Sequence, residues 1–181
     1  MNATCMAIPG ILMLEPKVFG DARGFFLESY NRRVFRQVTG VDIEFVQDNH
    51  SRSIRNVLRG LHYQIRQSQG KLVRVVAGEI YDVAVDLRRG SRTFGKWVGF
   101  SMSAESKQIA WIPAGFAHGF LVTSESAEVL YKTTDYYAPE HERTLLWNDP
   151  ALAISWPLAG EPLMTDKDRR GTPLARAETF E

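Results

Sequence analysis

Short alternating runs, each cut off by turn residues, dominate this chain and leave little room for a helical fold. Lys71 to Val76 alternates as a strand, Ala77-Gly78-Glu79 reads as a tight turn, and Ile80 to Leu87 is the return strand. Arg88-Arg89-Gly90-Ser91 breaks the chain, and Lys96 to Met102 alternates again before the loop 103–106. Gln108 to Ile112 is a further strand, ended by Pro113 and Gly115. His118 to Thr123 and Ala127 to Thr134 read as a pair around the turn Ser124-Glu125-Ser126. The runs Gly24 to Tyr30 and Ile43 to Asn49 are aromatic and apolar enough to be strands that pair across a dimer. Helical spacing is confined to Asn31–Val38, where Val34, Phe35 and Val38 recur. The expected fold is all-β, a jelly-roll sandwich or barrel with a few short peripheral helices.

No shift in composition marks a second domain within 1–181, and the tail from about Pro157, rich in Pro, Gly and charge, is expected to wrap the body. Net charge is +1, with both signs scattered, which excludes the basic stripe of a nucleic-acid surface. Cys5 is the sole cysteine, so no internal disulfide forms. The opening residues lack the basic region of a signal peptide, and no run is long enough for a membrane helix. The cytoplasm is the expected compartment, without membrane or nucleic-acid partners.

Several residues are candidates for chemistry. His62 sits in VLRGLHYQ, residues 57–64; taken alone, such a histidine is more often a satisfied core or surface residue. Lys71 opens a strand, and lysine is seldom buried without a partner. Tyr131 lies in the apolar run VLYKT, where plain core is the simpler account. Asp82 and Asp86 share one face of YDVAVDL, opposite Tyr81, Val83, Val85 and Leu87, so they are expected to face a solvated side or a pocket. In IPAGFAHGF, Pro113 and Gly115 re-aim the chain and deliver His118 at the start of the next strand.

Pro-x-Gly-x-x-His resembles the second metal motif of the cupin superfamily, and VLRGLHYQ is placed like the first. Metal sites want three or four N, O or S ligands. Here Gln64 stands where a second histidine is usual, and no glutamate follows in 65–69, so no metal is expected. The blocks VLRGLHYQ, QGKLVRV, GEIYDVAVDLR, SRTFGKWVG, WIPAGFAHGF, LYKTTDYYAPEHER and WPLAGEPLMTDKD together resemble the dTDP-4-dehydrorhamnose 3,5-epimerase family, from about Gly10 to about Asp168. That family implies a cupin-like jelly roll without cofactor, usually a homodimer. It also implies a dTDP-4-keto-6-deoxyhexose substrate inverted at C3 and C5 on the way to dTDP-L-rhamnose.

The resemblance also assigns roles. It makes His62 the base, Asp168 its orienting carboxylate, Lys71 the cation beside the C4 oxygen and Tyr131 the acid. The residues by themselves do not choose Asp168 over Asp82 or Asp86. An imidazole, with a reference pKa near 6.5, suits proton abstraction at neutral pH, and a phenol, near 10, keeps a proton to give. Arg23 and Arg59 match arginines near the nucleotide diphosphate and sugar, where a planar fork pairs with phosphate oxygens. Tyr137 matches an aromatic close to the thymine. Glu28, Gln47, Asn49, His118, Glu142 and Lys167 match substrate contacts. One departure is the loop IRQSQ, residues 65–69, short and without a Pro pair, which bears on substrate choice. The other readings are a single-centre epimerase of antibiotic sugar synthesis, a metal-dependent cupin, and a non-catalytic sugar-binding jelly roll.

Overall fold

A computed structural model describes residues 1–181. It is the expected all-β jelly-roll sandwich, built from two antiparallel sheets. The first has six strands: β1 (Asn2–Cys5), β2 (Leu12–Glu15), β5 (Gln47–Ile54), β7 (Lys71–Ala77), β10 (Ile109–Ile112) and β12 (Ser126–Thr133), in the order β1-β2-β10-β7-β12-β5. The second has five: β6 (Leu58–Gln64), β8 (Glu79–Asp86), β9 (Trp97–Ser103), β11 (Phe116–Val122) and β13 (Glu142–Thr144), in the order β13-β6-β11-β8-β9. A separate hairpin joins β3 (Val18–Asp21) to β4 (Gly24–Leu27). Helix α1 (Arg32–Thr39) starts where the helical spacing predicts, with the Asn31 side chain accepting from the Val34 amide as an N-cap.

Two expected hairpins are corrected. β7 does not pair with β8, nor β11 with β12; each pair crosses from one sheet to the other. Gly78 makes the first crossing at φ +70, and a Cβ there would lie 1.9 Å from the Ser126 carbonyl oxygen. A chain turning that sharply passes between layers, and each strand then finds partners distant in sequence. The expected strand Ile43–Asn49 is also corrected. Ladder pairing starts only at Gln47, and Phe45 packs edge-on against Tyr30, Phe35 and Trp111 instead. The expected strand Gly24–Tyr30 ends at Leu27.

The two sheets enclose an apolar core that includes Val73, Val75, Ile80, Ala84, Phe100 and Ile112. Both outer faces are also covered in part. Phe35 of α1 packs on Leu14, Leu72, Ile109 and Trp111 of the six-stranded sheet. On the other side, Leu61, Val83, Val85 and Leu87 lie under Leu145, Leu152 and Ala177 from the last third of the chain. Each fully buried side chain of this size stabilises by about 2 kcal/mol. The tail is tied on by bridges between Val57 and Leu163, Leu145 and Thr172, and Arg88 and Phe180. It also carries helix α2 (Asp166–Arg169) to the mouth of the sandwich.

Because both faces of β8 are covered, Asp82 and Asp86 are fully buried, and neither faces solvent. Asp86 sits in a closed cage, accepting from Arg88, Ser91 and Thr93. Burial alone would raise its carboxyl, but these donors outweigh it and bring Asp86 down to about 2.

Candidate active site

The core is interrupted by a cavity of about 600 Å³ between the sheets. Its geometry begins with a pair of glycines. β6 and β11 lie so close that a Cβ on Gly60 would be 2.6 Å from the Gly119 Cα, and one on Gly119 2.5 Å from the Arg59 carbonyl oxygen. The register shifts there, and His62 and His118 become direct cross-strand partners. Both line the cavity.

The His62 Nε2 lies 2.6 Å from the Asp168 Oδ1. Asp168 is brought there by the first turn of α2, where the Thr165 hydroxyl accepts from the Asp168 amide. Burial would raise the Asp168 carboxyl, but the hydrogen bond and charge of His62 prevail and hold it below the ordinary range. With Nε2–H directed at the carboxylate, Nδ1 keeps its lone pair and has no hydrogen bond within the chain.

Lys71 enters from the opposite sheet. It is buried, and its Nζ donates to the His62 carbonyl at 3.2 Å. Burial brings this ammonium down to about 8, against the upward pull of Asp82 and Glu142. It therefore stays charged at neutral pH. Tyr131, from β12 of the same sheet, is half-buried, and burial pushes its phenol up, so it holds its proton. His62 and Tyr131 thus face the cavity from opposite walls.

At the rim, Glu142 bonds both Lys167 and the Tyr137 hydroxyl, the latter at 2.8 Å. Burial would raise Glu142, but the bonds from Lys167 and Tyr137 outweigh it and lower it. Arg59 is held by the Ser53 hydroxyl at 2.9 Å. So His62, Lys71, Tyr131, Asp168, Arg59, His118, Tyr137, Glu142 and Lys167 all line one cavity.

Four expected contacts do not. Arg23 pairs with Asp21 on the exposed β3–β4 hairpin. Glu28 accepts from Asn31 beside α1. Gln47 and Asn49 stand behind the rim: Gln47 accepts from the Tyr137 amide and donates to Asn49. The reason is topological, because the hairpin projects from the sandwich and Gln47 is spent on positioning the Tyr137 backbone. Conversely, Ser51, Leu163 and Met164 line the cavity without having been singled out. Alternation from Asn49 along β5 was the available signal for Ser51.

Gln64 is buried, and its amide donates to the carbonyls of Gln67 and Tyr136 and accepts from the Ala138 amide. It anchors the 65–69 loop to the segment carrying Tyr137. No group of three or more His, Cys, Asp or Glu side chains converges in a metal-holding arrangement.

Comparison with known proteins places this geometry. A family model described as dTDP-4-dehydrorhamnose 3,5-epimerase matches residues 5–176. The chain belongs to that family. A Pseudomonas aeruginosa protein of that name is 65% identical over 180 residues, covering 99% of each chain. A solved Legionella pneumophila 3,5-epimerase, in complex with dTDP-4-keto-L-rhamnose, is 50% identical with a TM-score of 0.95, over 98% of this chain and 94% of that one. A 3'-monoepimerase from Streptomyces bikiniensis, in complex with dTDP-quinovose, is 37% identical with a TM-score of 0.89, over 97% and 88%.

Proposed function

We propose that this protein epimerises dTDP-4-dehydro-6-deoxy-D-glucose at C3 and C5, giving dTDP-4-dehydro-L-rhamnose, without a metal. The observation that carries this is the placement of an oriented histidine and a protonated tyrosine on opposite walls of one cavity, with a charged lysine between the sheets.

The C4 ketone acidifies the hydrogens on its two neighbours. The lone pair of His62 takes one of them, and the C–H electron pair moves into an enolate whose charge rests on the C4 oxygen. Lys71 stabilises that oxyanion, an effect worth roughly 3–4 kcal/mol. Asp168 stabilises the imidazolium as it forms. The Tyr131 hydroxyl then protonates the carbon from the opposite face. The enolate collapses to the ketone, the phenolate regains a proton from solvent, and His62 releases one. Two carriers on two faces yield inversion, and repetition at the second carbon completes the reaction. Arg59 suits the diphosphate, and Tyr137, with its hydroxyl tied to Glu142, offers a ring to the base.

We further infer a cytoplasmic homodimer. Arg23 and Glu28 lie outside their own cavity, and strand β4 between them exposes Phe25 and Phe26. An exposed apolar hairpin of that kind suits a second copy, whose cavity these residues then complete. No helix is long and apolar enough to cross a membrane.

Proton NMR of the keto sugar with the protein in deuterated water tests the reading. Deuterium at both C3 and C5 is expected. Deuterium at a single carbon assigns the protein to the single-centre class, to which the Streptomyces bikiniensis neighbour belongs. No exchange removes the epimerase reading.

A further inference from the structure

His118 on the cavity wall belongs to a second histidine–aspartate pair, which the reaction as described leaves without a task. Nε2 of His118 lies 3.0 and 2.9 Å from the two carboxylate oxygens of Asp82. Asp82 is fully buried, on the inward face of β8 with Ile80 and Ala84. No arginine or hydroxyl shares it, in contrast to Asp86 four residues on. A buried carboxylate left to a single imidazole is costly unless its charge is used nearby.

The charged neighbour available is Lys71. Lys71 shares the cavity with His62 and Arg59 from β6, His118 from β11, Tyr131 from β12, Tyr137, Glu142 from β13, and Lys167 and Asp168 from α2; its Nζ bonds the His62 carbonyl, His62 lies opposite His118, and His118 holds Asp82 of β8. Asp168 is paired with His62, and Glu142 with Lys167. Asp82, bonded only to His118, is the carboxylate whose charge bears most on Lys71.

We propose that Asp82 is a positioning residue: its buried carboxylate fixes His118 against the cavity wall with Nδ1 toward the substrate, and supplies the counter-charge that keeps Lys71 an ammonium in the interior. The proposal rests on the epimerase reading above and deepens it. Burial opposes the charge of Lys71, and Asp82 is the foremost group supporting it. Without Asp82, the electrophile at the C4 oxygen is neutralised at lower pH. Without its hydrogen bond, the His118 ring turns freely.

The two roles separate by substitution. Asp82→Asn keeps an acceptor for His118 and removes the charge. Asp82→Ala removes both. Asp86→Asn, on the same strand and equally buried but bonded to no cavity-lining residue, is the control for general loosening of β8.

The first readout needs no turnover: competitive acetylation of Lys71 by acetic anhydride across pH, followed on its peptide by mass spectrometry. The expected midpoint is lower in Asp82→Asn than in the native protein and unmoved in Asp86→Asn. The second is the pH profile of kcat/KM, whose alkaline limb should move to lower pH in Asp82→Asn. Asp82→Ala should in addition lose kcat roughly 10- to 100-fold at neutral pH. An unmoved Lys71 midpoint in Asp82→Asn overturns the proposal, whether or not the native protein turns over the keto sugar. A native protein that is inactive but shows the midpoint shift removes the epimerase reading alone. Should the Asp82 variants fail to fold, nitrogen-15 spectra of the native histidines decide: His118 protonated on Nε2 is expected, and His118 protonated on Nδ1 alone overturns the assignment.

Discussion

Asp86 and Asp168 are both buried carboxylates, and both are held below their usual range, yet they do opposite work. Asp86 is saturated: a guanidinium, two hydroxyls and a backbone amide all donate to it, and it does not line the active-site cavity. Asp168 accepts from one side chain, a histidine whose other nitrogen is free. A carboxylate whose donors are all fixed can only hold structure together. One whose single partner titrates, at the edge of a cavity, can follow a proton. Low pKa alone does not separate the two; the nature of the donors does.

That contrast breaks most sharply at the base. His62→Ala should lose kcat on the order of 10³-fold or more while the thermal transition stays near that of the native protein, as measured by turnover and calorimetry. Equal loss of stability and activity would erase the distinction. Next comes Lys71→Met, for which the 3–4 kcal/mol scale of such electrostatic partners translates to roughly 10²- to 10³-fold in kcat, read with the same assay. The opposite pole is Asp86→Asn. It should cost about 2–3 kcal/mol of folding stability, or roughly 4–12 °C in Tm, with kcat unchanged at temperatures where the variant is folded.

Acid titration sharpens the same point more gently. The Asp86 carboxyl is lowered in the fold, from 3.8 to about 2. Its contribution is therefore complete above the unfolded value and is lost as pH falls toward 2. Asp86→Asn should lack that part of the acid sensitivity in urea titrations. The smallest effect is in the native pH profile. Lys71 must be charged to act, so kcat/KM should decline as pH rises through about 8, well below the value of an exposed lysine.

Several strands were legible because their inward residues are apolar. β7, β8, β9 and β10 all announce themselves by alternation, and α1 by its spacing. β5 did not, because its inward residues include Ser51 and Ser53, which face the polar part of the interior. Alternation also says which face is inward and nothing about which strand lies alongside. That is why β8 and β12 were expected as return strands when both cross to the other sheet. The same gap affects the site. His62, Lys71 and Tyr131 lie on strands the pattern locates, whereas Asp168 arrives on a short helix of the tail, 106 residues after its partner. Nothing local in the sequence distinguishes it from Asp82 or Asp86; only resemblance did. Arg23 and Glu28 mark the other limit, since one chain's own topology leaves them outside its cavity.

The tail that seals the five-stranded sheet also sets the order in which the protein becomes competent. During synthesis, the strands from β5 to β12 can emerge and begin pairing before Asp168 has been made. The nascent sandwich then carries its histidine without the carboxylate that orients it. Likewise, a protease cut in the exposed stretch near Gly160 leaves the two sheets joined through their own ladders, while the segment that bears α2 is then held through noncovalent contacts, among them its bridges to Val57, Leu145 and Arg88. Once that segment dissociates, activity should vanish while strand structure persists, so that loss of turnover precedes loss of fold.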